Sequence, residues 1–190
     1  MKTRPLEIEE YKMILKLLTE GFEYQIDNKI VKFYPNHKTA IALILEANLG
    51  LRISDVLRLK LSNFKNGKLE IKEKKTGKLQ YRNINPNIMQ IILEYALENK
   101  LNKEDLLIDV GVRTIQRNLK VACNHLGLSN ISTHSWRKLY ATTQYELNNH
   151  NLELVKELLN HSSIATTQRY IRVSQKEINK ASESFYIDIV

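Results

Sequence analysis

The sequence has few of the residues that constrain a chain covalently or interrupt regular structure: one cysteine, three prolines and six glycines in 190 residues. Because Cys123 has no second cysteine to pair with, an internal disulfide and a cysteine-built metal site are excluded. The longest apolar run, AIALILEANLGL, contains Glu46 and Asn48 and is too short to span a bilayer. The start, MKTRPLEIEEYK, lacks the apolar core of a signal peptide. These absences predict a protein of a reducing, cytosolic or nucleoid setting with no membrane-spanning segment.

Acidic residues are also scarce relative to basic ones. The chain has 21 Asp and Glu against 29 Lys and Arg, which gives a net charge of +8 and a pI near 9.4. The excess is concentrated, since residues 58–82 hold nine basic and two acidic residues and residues 113–138 hold five basic and no acidic ones. Such a balance suggests a polyanionic partner, either nucleic acid or an acidic membrane surface.

Hydrophobic periodicity predicts a mostly helical chain. Apolar residues at helical spacing lead up to a break at Gly21, and recur through HKTAIALILEANLG and the short ISDVLRLK. After Pro86 the same spacing predicts helices in NIMQIILEYALENK, VRTIQRNLKVACNHLG, THSWRKLYATTQYELNN and SQKEINKASESF, and two more within residues 151–173. The first of those two ends near His161, and the second carries Tyr170.

Short alternating segments interrupt the helices. FEYQIDNKIVKFYP predicts a hairpin around Asp27-Asn28. LSNF, KLEIKE and KLQYRNIN are separated by Asn66-Gly67 and Thr76-Gly77, which predict a three-stranded antiparallel sheet. The end of the chain, YIDIV, is predicted to form a strand or a docking segment. With 43% hydrophobic residues, we expect one α+β domain over residues 1–190, mostly α-helical with one small basic sheet.

Two segments, GLRISDVLRLK and EKKTGKLQ, carry side chains that packing alone does not require. Arg52 follows an apolar helix and a break at Gly50, which places a guanidinium where helices meet. Lys75 precedes the Thr-Gly turn of the predicted sheet, so its ammonium group can project from a hairpin tip. Read singly, each also fits an ordinary role, as a salt-bridged surface arginine and as part of a solvated basic turn.

Two later segments carry further candidates. His134 and Arg137 are three residues apart on one predicted helix, so both are expected on one face. Arginine can bind a phosphate bidentately, and histidine can exchange a proton near neutral pH. His161 and Tyr170 are nine residues apart across a Ser-Ser break. The ordinary alternatives are a histidine with no task at a helix start and a tyrosine packed in the core.

Taken together and in this order, these residues resemble the tyrosine recombinase (phage integrase) family. GLRISDVLRLK is similar to the family's first arginine box, with Asp55 three positions after Arg52, and KKTGK resembles its β-hairpin lysine segment. HSWR matches the family's His-x-x-Arg motif, and LLNHSSIATTQRY matches its histidine-to-tyrosine box. The resemblance covers about residues 40–173, essentially the family's catalytic domain. It departs from the family pattern at Asn160, where a glycine is usual.

The resemblance implies a catalytic set of Arg52, Lys75, His134, Arg137, His161 and Tyr170. In the family's reaction the tyrosine attacks a DNA phosphodiester and forms a 3′-phosphotyrosine with release of a 5′-hydroxyl. Arg52 and Arg137 would clamp the non-bridging oxygens, and His161 would add a hydrogen bond. His134 would help to take the tyrosine proton. Lys75 would protonate the leaving oxygen, with Lys74 as a rival. No cofactor and no metal is implied.

The resemblance also implies that the chain recombines double-stranded DNA of a mobile element, by integration, excision or inversion. A tetramer is expected on recombining DNA and a monomer in isolation, in the bacterial cytoplasm at the nucleoid. Contacts to the DNA backbone would come from basic side chains of the hairpin and of residues 113–138: Lys72, Lys74, Lys78, Arg82, Arg113, Arg117 and Lys138. Only about 35 residues precede the catalytic boxes, so we expect the family's N-terminal core-binding domain to be absent.

Three other functions share parts of this pattern. A type IB topoisomerase has the same fold and nucleophile but carries a lysine where His134 stands. A non-catalytic DNA-binding module would keep the scaffold without needing all six of these residues. A metal-dependent nuclease needs clustered carboxylates to hold two metal ions, and these segments lack them.

Overall fold

The computed structural model describes residues 3–171, 175–184 and 186. The predicted strand or docking segment at the end of the chain lies outside the described residues, apart from Tyr186. Within the described part no helix combines the length and the apolar character needed to cross a membrane.

Helices make up about half of the chain and follow the predicted segments. They are α1 Ile8–Glu20, α2 His37–Leu49, α3 Ile53–Val56, α4 Pro86–Glu98, α5 Val112–His125, α6 Thr133–Leu147, α7 Leu152–Leu158, α8 Ile164–Gln168 and α9 Gln175–Glu183. The sequence prediction is wrong in one detail of these helices. Tyr170 lies in a turn just beyond α8, where its backbone N–H donates to the Thr167 carbonyl at 2.9 Å.

Two small antiparallel sheets join the helices. Strands β1 (Phe22–Ile26) and β2 (Lys29–Phe33) form the predicted first hairpin, whose turn residues Asp27 and Asn28 have φ of 47° and 61°. Strands β3 (Phe64–Lys65), β4 (Lys68–Lys72) and β5 (Leu79–Asn83) form the predicted three-stranded sheet in the order β3-β4-β5. The β3–β4 turn has a positive φ at two successive positions, as two-residue hairpins require.

The segment LSNF is the main local departure from the predicted secondary structure. Leu61–Asn63 forms a short 3₁₀ helix, and the expected strand is reduced to the two residues of β3. Asn63 explains the difference, because its side-chain oxygen accepts the Lys60 N–H at 2.9 Å and its amide donates to the Glu70 carbonyl at 2.9 Å. A side chain that bonds the nearby backbone in this way competes with the ladder of a strand.

Helix α2 forms the centre of the main hydrophobic core. It contacts α1, α3, α5 and α6, and eight of its residues are buried, among them Leu43 and Leu45 with no exposed surface. Each such leucine stabilises the fold by about 1.5–3 kcal/mol through burial. Trp136 on α6 is also fully buried, with its ring 5.0 Å from that of Tyr11. Helix α6 is thereby fixed against α1 and α2, which sets the position of the polar residues at its start.

Candidate active site

The six residues predicted to be catalytic come together from five parts of the chain. Arg52 lies at the start of α3, His134 and Arg137 lie on α6, and the remaining three lie in connections between elements. Five of the six line one cleft of about 390 Å³: Arg52, Lys75, His134, His161 and Tyr170. Arg137 lies beneath this cleft, fully buried, and contacts His161.

Arg137 is held by backbone carbonyls on two sides. Its Nη1 donates to the Gly50 carbonyl, and its Nη2 donates to the Leu159 carbonyl at 2.8 Å. The Nη2 atom also lies 3.1 Å from His161 Nε2. The end of α2 and the end of α7 are therefore joined through one guanidinium, which is fixed before any ligand arrives.

The contact between Arg137 and His161 determines which nitrogen of His161 carries the proton. A guanidinium can only donate, so Nε2 must present its lone pair and the proton must lie on Nδ1. Nδ1 lies 2.9 Å from the Thr167 hydroxyl, which then accepts. His161 and Thr167 are both buried, so these contacts are shielded from water.

Asn160 shows why a glycine is usual immediately before His161. Its φ is 55°, in the left-handed region, and it follows the end of α7. Asparagine tolerates this conformation better than most residues with a Cβ atom, so the turn is retained at some cost relative to glycine. The departure from the family pattern thus leaves His161 in place.

Arg52 is bound to a buried carboxylate that the sequence did not single out. Its Nη1 donates to Glu73 Oε2 at 2.6 Å. The same oxygen accepts the Thr76 hydroxyl at 2.7 Å, and Oε1 accepts Gln80 Nε2 at 2.9 Å. The Glu73 side chain has no exposed surface, whereas that of Arg52 is 14% exposed toward the cleft. Arg52 makes no other side-chain hydrogen bond within the described residues, so its Nη2 and Nε remain for a second acceptor.

The turn between β4 and β5 is attached to α3 by a second carboxylate. Asp55 is buried, and its Oδ1 accepts the backbone N–H of Lys74 at 2.7 Å. The side chain of Lys75 lines the cleft, whereas that of Lys74 lines a separate depression with Arg58 and Lys72. Of the two lysines considered for the leaving oxygen, the geometry favours Lys75.

Positive charges and burial dominate the electrostatics of the cleft. Burial, with the charges of Arg137 and Arg52, lowers the pKa of His161 to about 4. The same causes, in the same order, lower the pKa of His134, which is the more exposed of the two. Burial and then the Arg52 charge lower the pKa of Arg137. Both imidazoles are thus neutral at pH 7, and the cleft favours an anion that would offset the arginine charges.

Tyr170 lies at the wall of the cleft, half-buried. Its ring centroid is 5.2 Å from that of His161, and Lys138 Nζ lies 5.9 Å from the Tyr170 ring centroid. The ring packs against the second, smaller hydrophobic cluster, which includes Val155 and Leu159. Both descriptions of this tyrosine considered from the sequence therefore hold in part, since it packs against a core and also faces the cleft.

The seven side chains predicted to hold the DNA backbone fall into two groups. Five are exposed, on the hairpin and on α5: Lys72, Lys74, Lys78, Arg113 and Arg117. Arg82 instead donates to the Tyr140 hydroxyl at 2.8 Å and to the carbonyls of Leu158 and Leu49. Lys138 is buried and donates to Thr3. These last two join parts of the fold, and their contact with DNA stays a prediction.

One further buried carboxyl group lies near Arg137. Glu46 on α2 has no exposed surface, and neither of its oxygens makes a well-formed hydrogen bond within the described residues. Burial raises the pKa of Glu46 well above its ordinary value, and the Arg137 charge and the Ile53 backbone N–H oppose this rise only in part. Among the described residues, no three His, Cys, Asp or Glu side chains come together as metal ligands.

Comparison with known sequences gives the family to which this fold and cleft belong. The model of the phage integrase family matches residues 7–177. The chain is 34% identical over 157 residues to the "Probable integrase/recombinase YoeC" of Bacillus subtilis, covering 79% of this chain and 86% of that protein. The chain therefore belongs to the phage integrase family.

More distant relatives extend the comparison. The chain is 28% identical to "Tyrosine recombinase XerA" of Pyrococcus horikoshii, covering 82% of this chain and 57% of that protein. It spans 50% of a "Probable integrase/recombinase" of Acholeplasma phage L2, so it covers about half the length of these relatives. The fold matches XerH bound to its difH substrate (TM-score 0.72, 23% identity, 95% of this chain, 52% of that one). It also matches a lambda integrase tetramer bound to a Holliday junction (TM-score 0.67, 16% identity, 90% and 49%).

Proposed function

We propose that this chain is the catalytic domain of a site-specific DNA recombinase, which cleaves and rejoins DNA through a covalent bond between Tyr170 and a 3′-phosphate. The observation that carries the proposal is the convergence of five candidate side chains on one cleft, with Arg137 fixed beneath it. The cleft is lined by a phenol, a guanidinium group and an ammonium group, and a second guanidinium lies beneath it; together these groups suit a phosphodiester. Membership of the phage integrase family supports the same reaction.

The chemistry follows from where these groups lie. The Tyr170 oxygen attacks phosphorus while the bond from phosphorus to the 5′-oxygen breaks, so one phosphodiester replaces another. Charge that develops on the non-bridging oxygens is stabilised by Arg52 and Arg137. His134 takes the phenol proton, for which its neutral form is required. Lys75 donates a proton to the departing 5′-oxygen. Rejoining is the reverse of these steps and conserves the bond energy.

Double-stranded DNA is the proposed substrate, and a tetramer on two duplexes is the proposed active assembly. The exposed basic side chains of the hairpin and of α5 support the first point. The lambda integrase tetramer on a Holliday junction, of whose subunit the chain matches 49%, supports the second. We infer a monomer in the absence of DNA and a single catalytic domain over residues 1–190.

The test is covalent capture on nicked duplexes of randomised sequence. After cleavage, the short fragment that carries the 5′-hydroxyl diffuses away, so the phosphotyrosine cannot be rejoined and accumulates. We expect wild-type protein to form a protein–DNA adduct that survives denaturation. Tyr170→Phe should abolish the adduct because the nucleophilic oxygen is removed. Tyr145→Phe makes the same change at another half-buried tyrosine, whose ring meets that of His150 edge-on, and should leave the adduct.

Three results would contradict the proposal. An adduct that persists in Tyr170→Phe would assign the nucleophile to another residue. Absence of any adduct across the randomised pool, from protein that is folded and binds duplex DNA, would make the chain a binding module. Relaxation of supercoiled plasmid by the monomer, without strand exchange between two captured sites, would favour a topoisomerase.

A further inference from the structure

Thr167 is fully buried and makes its side-chain contact with a residue of the proposed active site. Its hydroxyl lies 2.9 Å from His161 Nδ1. It is placed three residues before Tyr170, on α8, and the Tyr170 backbone N–H bonds to its carbonyl. One residue therefore supports both the imidazole of His161, through its side chain, and the turn that carries Tyr170, through its backbone.

The state of His161 in this structure is unsuited to holding a phosphate. Its Nε2 faces the Arg137 guanidinium and must accept, so Nδ1 carries the proton and Thr167 accepts from it. Phosphate oxygens are acceptors and have no proton to offer. An imidazole that is to bond a phosphate through Nε2 must carry its proton there, which is the opposite tautomer.

We propose that Thr167 is a positioning residue that lets His161 change tautomer when a DNA phosphate enters the cleft. This inference rests on the proposed function. The phosphate oxygen accepts hydrogen bonds from the Arg137 N–H groups. It also replaces the guanidinium as the hydrogen-bond partner of His161 Nε2. His161 then releases its Nδ1 proton to solvent and takes one up at Nε2, so its net charge does not change. The Thr167 hydroxyl turns from acceptor to donor and bonds the bare Nδ1.

A hydroxyl is the group that this exchange requires, because it can donate or accept at one position without moving its oxygen. A valine has the same shape and can do neither, and a serine can do both. Burial favours the exchange of tautomers over a doubly protonated ring, because a third positive charge would be placed beside those of Arg137 and Arg52.

The tautomer can be observed directly from the imidazole ¹⁵N resonances of His161, assigned by their loss in His161→Asn. We expect the Nδ1–H form in the free protein at pH 7. We expect the Nε2–H form in Tyr170→Phe bound to a nicked duplex whose sequence was identified by covalent capture with the wild-type protein. An Nε2–H form in the free protein, or an unchanged or doubly protonated ring in the complex, would overturn the inference.

Single-turnover adduct formation gives the functional test. Thr167→Val should slow cleavage about tenfold at saturating duplex, since a catalytic hydrogen-bond donor is then poorly held. Its dissociation constant for the duplex should change less than about threefold, and Thr167→Ser should restore the rate. Thr39→Val is the matched control, because Thr39 is another fully buried threonine whose hydroxyl accepts a side-chain hydrogen bond, from Asn118 at 2.9 Å.

Three outcomes of that test would overturn the role of Thr167. They are wild-type cleavage by Thr167→Val, failure of Thr167→Ser to recover the rate, and an equal loss of rate in Thr39→Val. The proposed function fails separately, through absence of any adduct from wild-type protein. The tautomer of the free protein is measured without DNA, so it does not depend on that result.

Discussion

Glu73 is the residue whose replacement tests the architecture of the cleft most directly. Its carboxylate accepts hydrogen bonds from Arg52, Thr76 and Gln80, and its backbone closes the turn through bonds with Lys78 and Gly77. The change Glu73→Gln keeps the shape and removes the charge. It also replaces one acceptor oxygen with an NH₂ group, which then faces donors.

The size of the effect follows from these contacts. A hydrogen bond to a charged group contributes about 1.5–3 kcal/mol, and loss of one member of a buried ion pair costs about 3–5 kcal/mol. Because the Arg52 side chain is 14% exposed, water compensates part of this loss. We therefore expect Glu73→Gln to lower the free energy of unfolding by about 2–4 kcal/mol at pH 7.

The pH dependence provides an internal check. Burial would raise the pKa of Glu73, but the bonds from Thr76, Gln80 and Arg52 outweigh it and lower the pKa below its ordinary value of 4.5. Stability from this carboxylate is therefore present above pH 4.5 and is lost as the pH falls through the lower, folded-state pKa. The difference between wild type and variant should shrink over that interval.

Urea denaturation gives the stability, and covalent capture gives the cleavage rate. We expect cleavage by Glu73→Gln to fall about a hundredfold, because Arg52 and the turn of Lys75 both lose their common anchor. Glu70→Gln is the control, since Glu70 lies exposed on β4, the strand that Glu73 directly follows, and undergoes the same change of charge. If the two variants unfold and cleave alike, Glu73 does not organise the cleft.

Three further predictions concern stability. Gly50→Ala should lower the unfolding free energy by about 2–4 kcal/mol, because Gly50 has φ of 58° and an added Cβ would lie 2.4 Å from the Tyr140 ring; thermal unfolding near the wild-type midpoint would contradict this. Glu46→Gln should be more stable than wild type, because burial raises the pKa of Glu46 and its ionisation opposes folding. The difference in unfolding free energy should grow above pH 4.5 by no more than about 1.4 kcal/mol per pH unit. Urea midpoints that differ by the same amount at every pH would refute this prediction. Because the pKa of His161 is lowered from 6.5 to about 4, stability is lost as the pH falls through this interval. The loss is at most about 3 kcal/mol, and His161→Asn should lack it. Equal slopes of unfolding free energy against pH in wild type and variant, from pH 7 to 4, would argue against a neutral, buried His161.

Local structure could be predicted from the sequence where its cause is local. The periodicity of α2 and α5 and the turn pairs Asp27-Asn28 and Asn66-Gly67 act within a few residues, and these elements formed as expected. The strand predicted for LSNF was wrong for a reason that is also local, because the Asn63 side chain bonds the backbone on either side of it. Alternation of apolar residues carries no information on such a bond.

The partners of the candidate residues could not be predicted in the same way. Arg52 and Glu73 are 21 residues apart, and Arg82 and Tyr140 are 58 apart. Read by itself, Arg52 also fits a salt-bridged surface arginine, and Arg82 fits a contact to the DNA backbone. In a run with nine basic residues and two acids, nothing local indicates that Glu73 is the buried one or that Arg82 turns inward.

The sequence by itself determined the family pattern: the residue types, their order and their spacing already placed a candidate nucleophile, Tyr170, after two arginines, a lysine and two histidines. These are chemical requirements of a reaction, and they persist in the chain as letters. Only the tertiary structure decided how the groups are held, with Arg137 sealed beneath His161, Glu73 behind Arg52 and Thr167 behind Nδ1. The reason is physical, since the state of a buried polar group depends on which donors and acceptors surround it, and those come from distant parts of the chain.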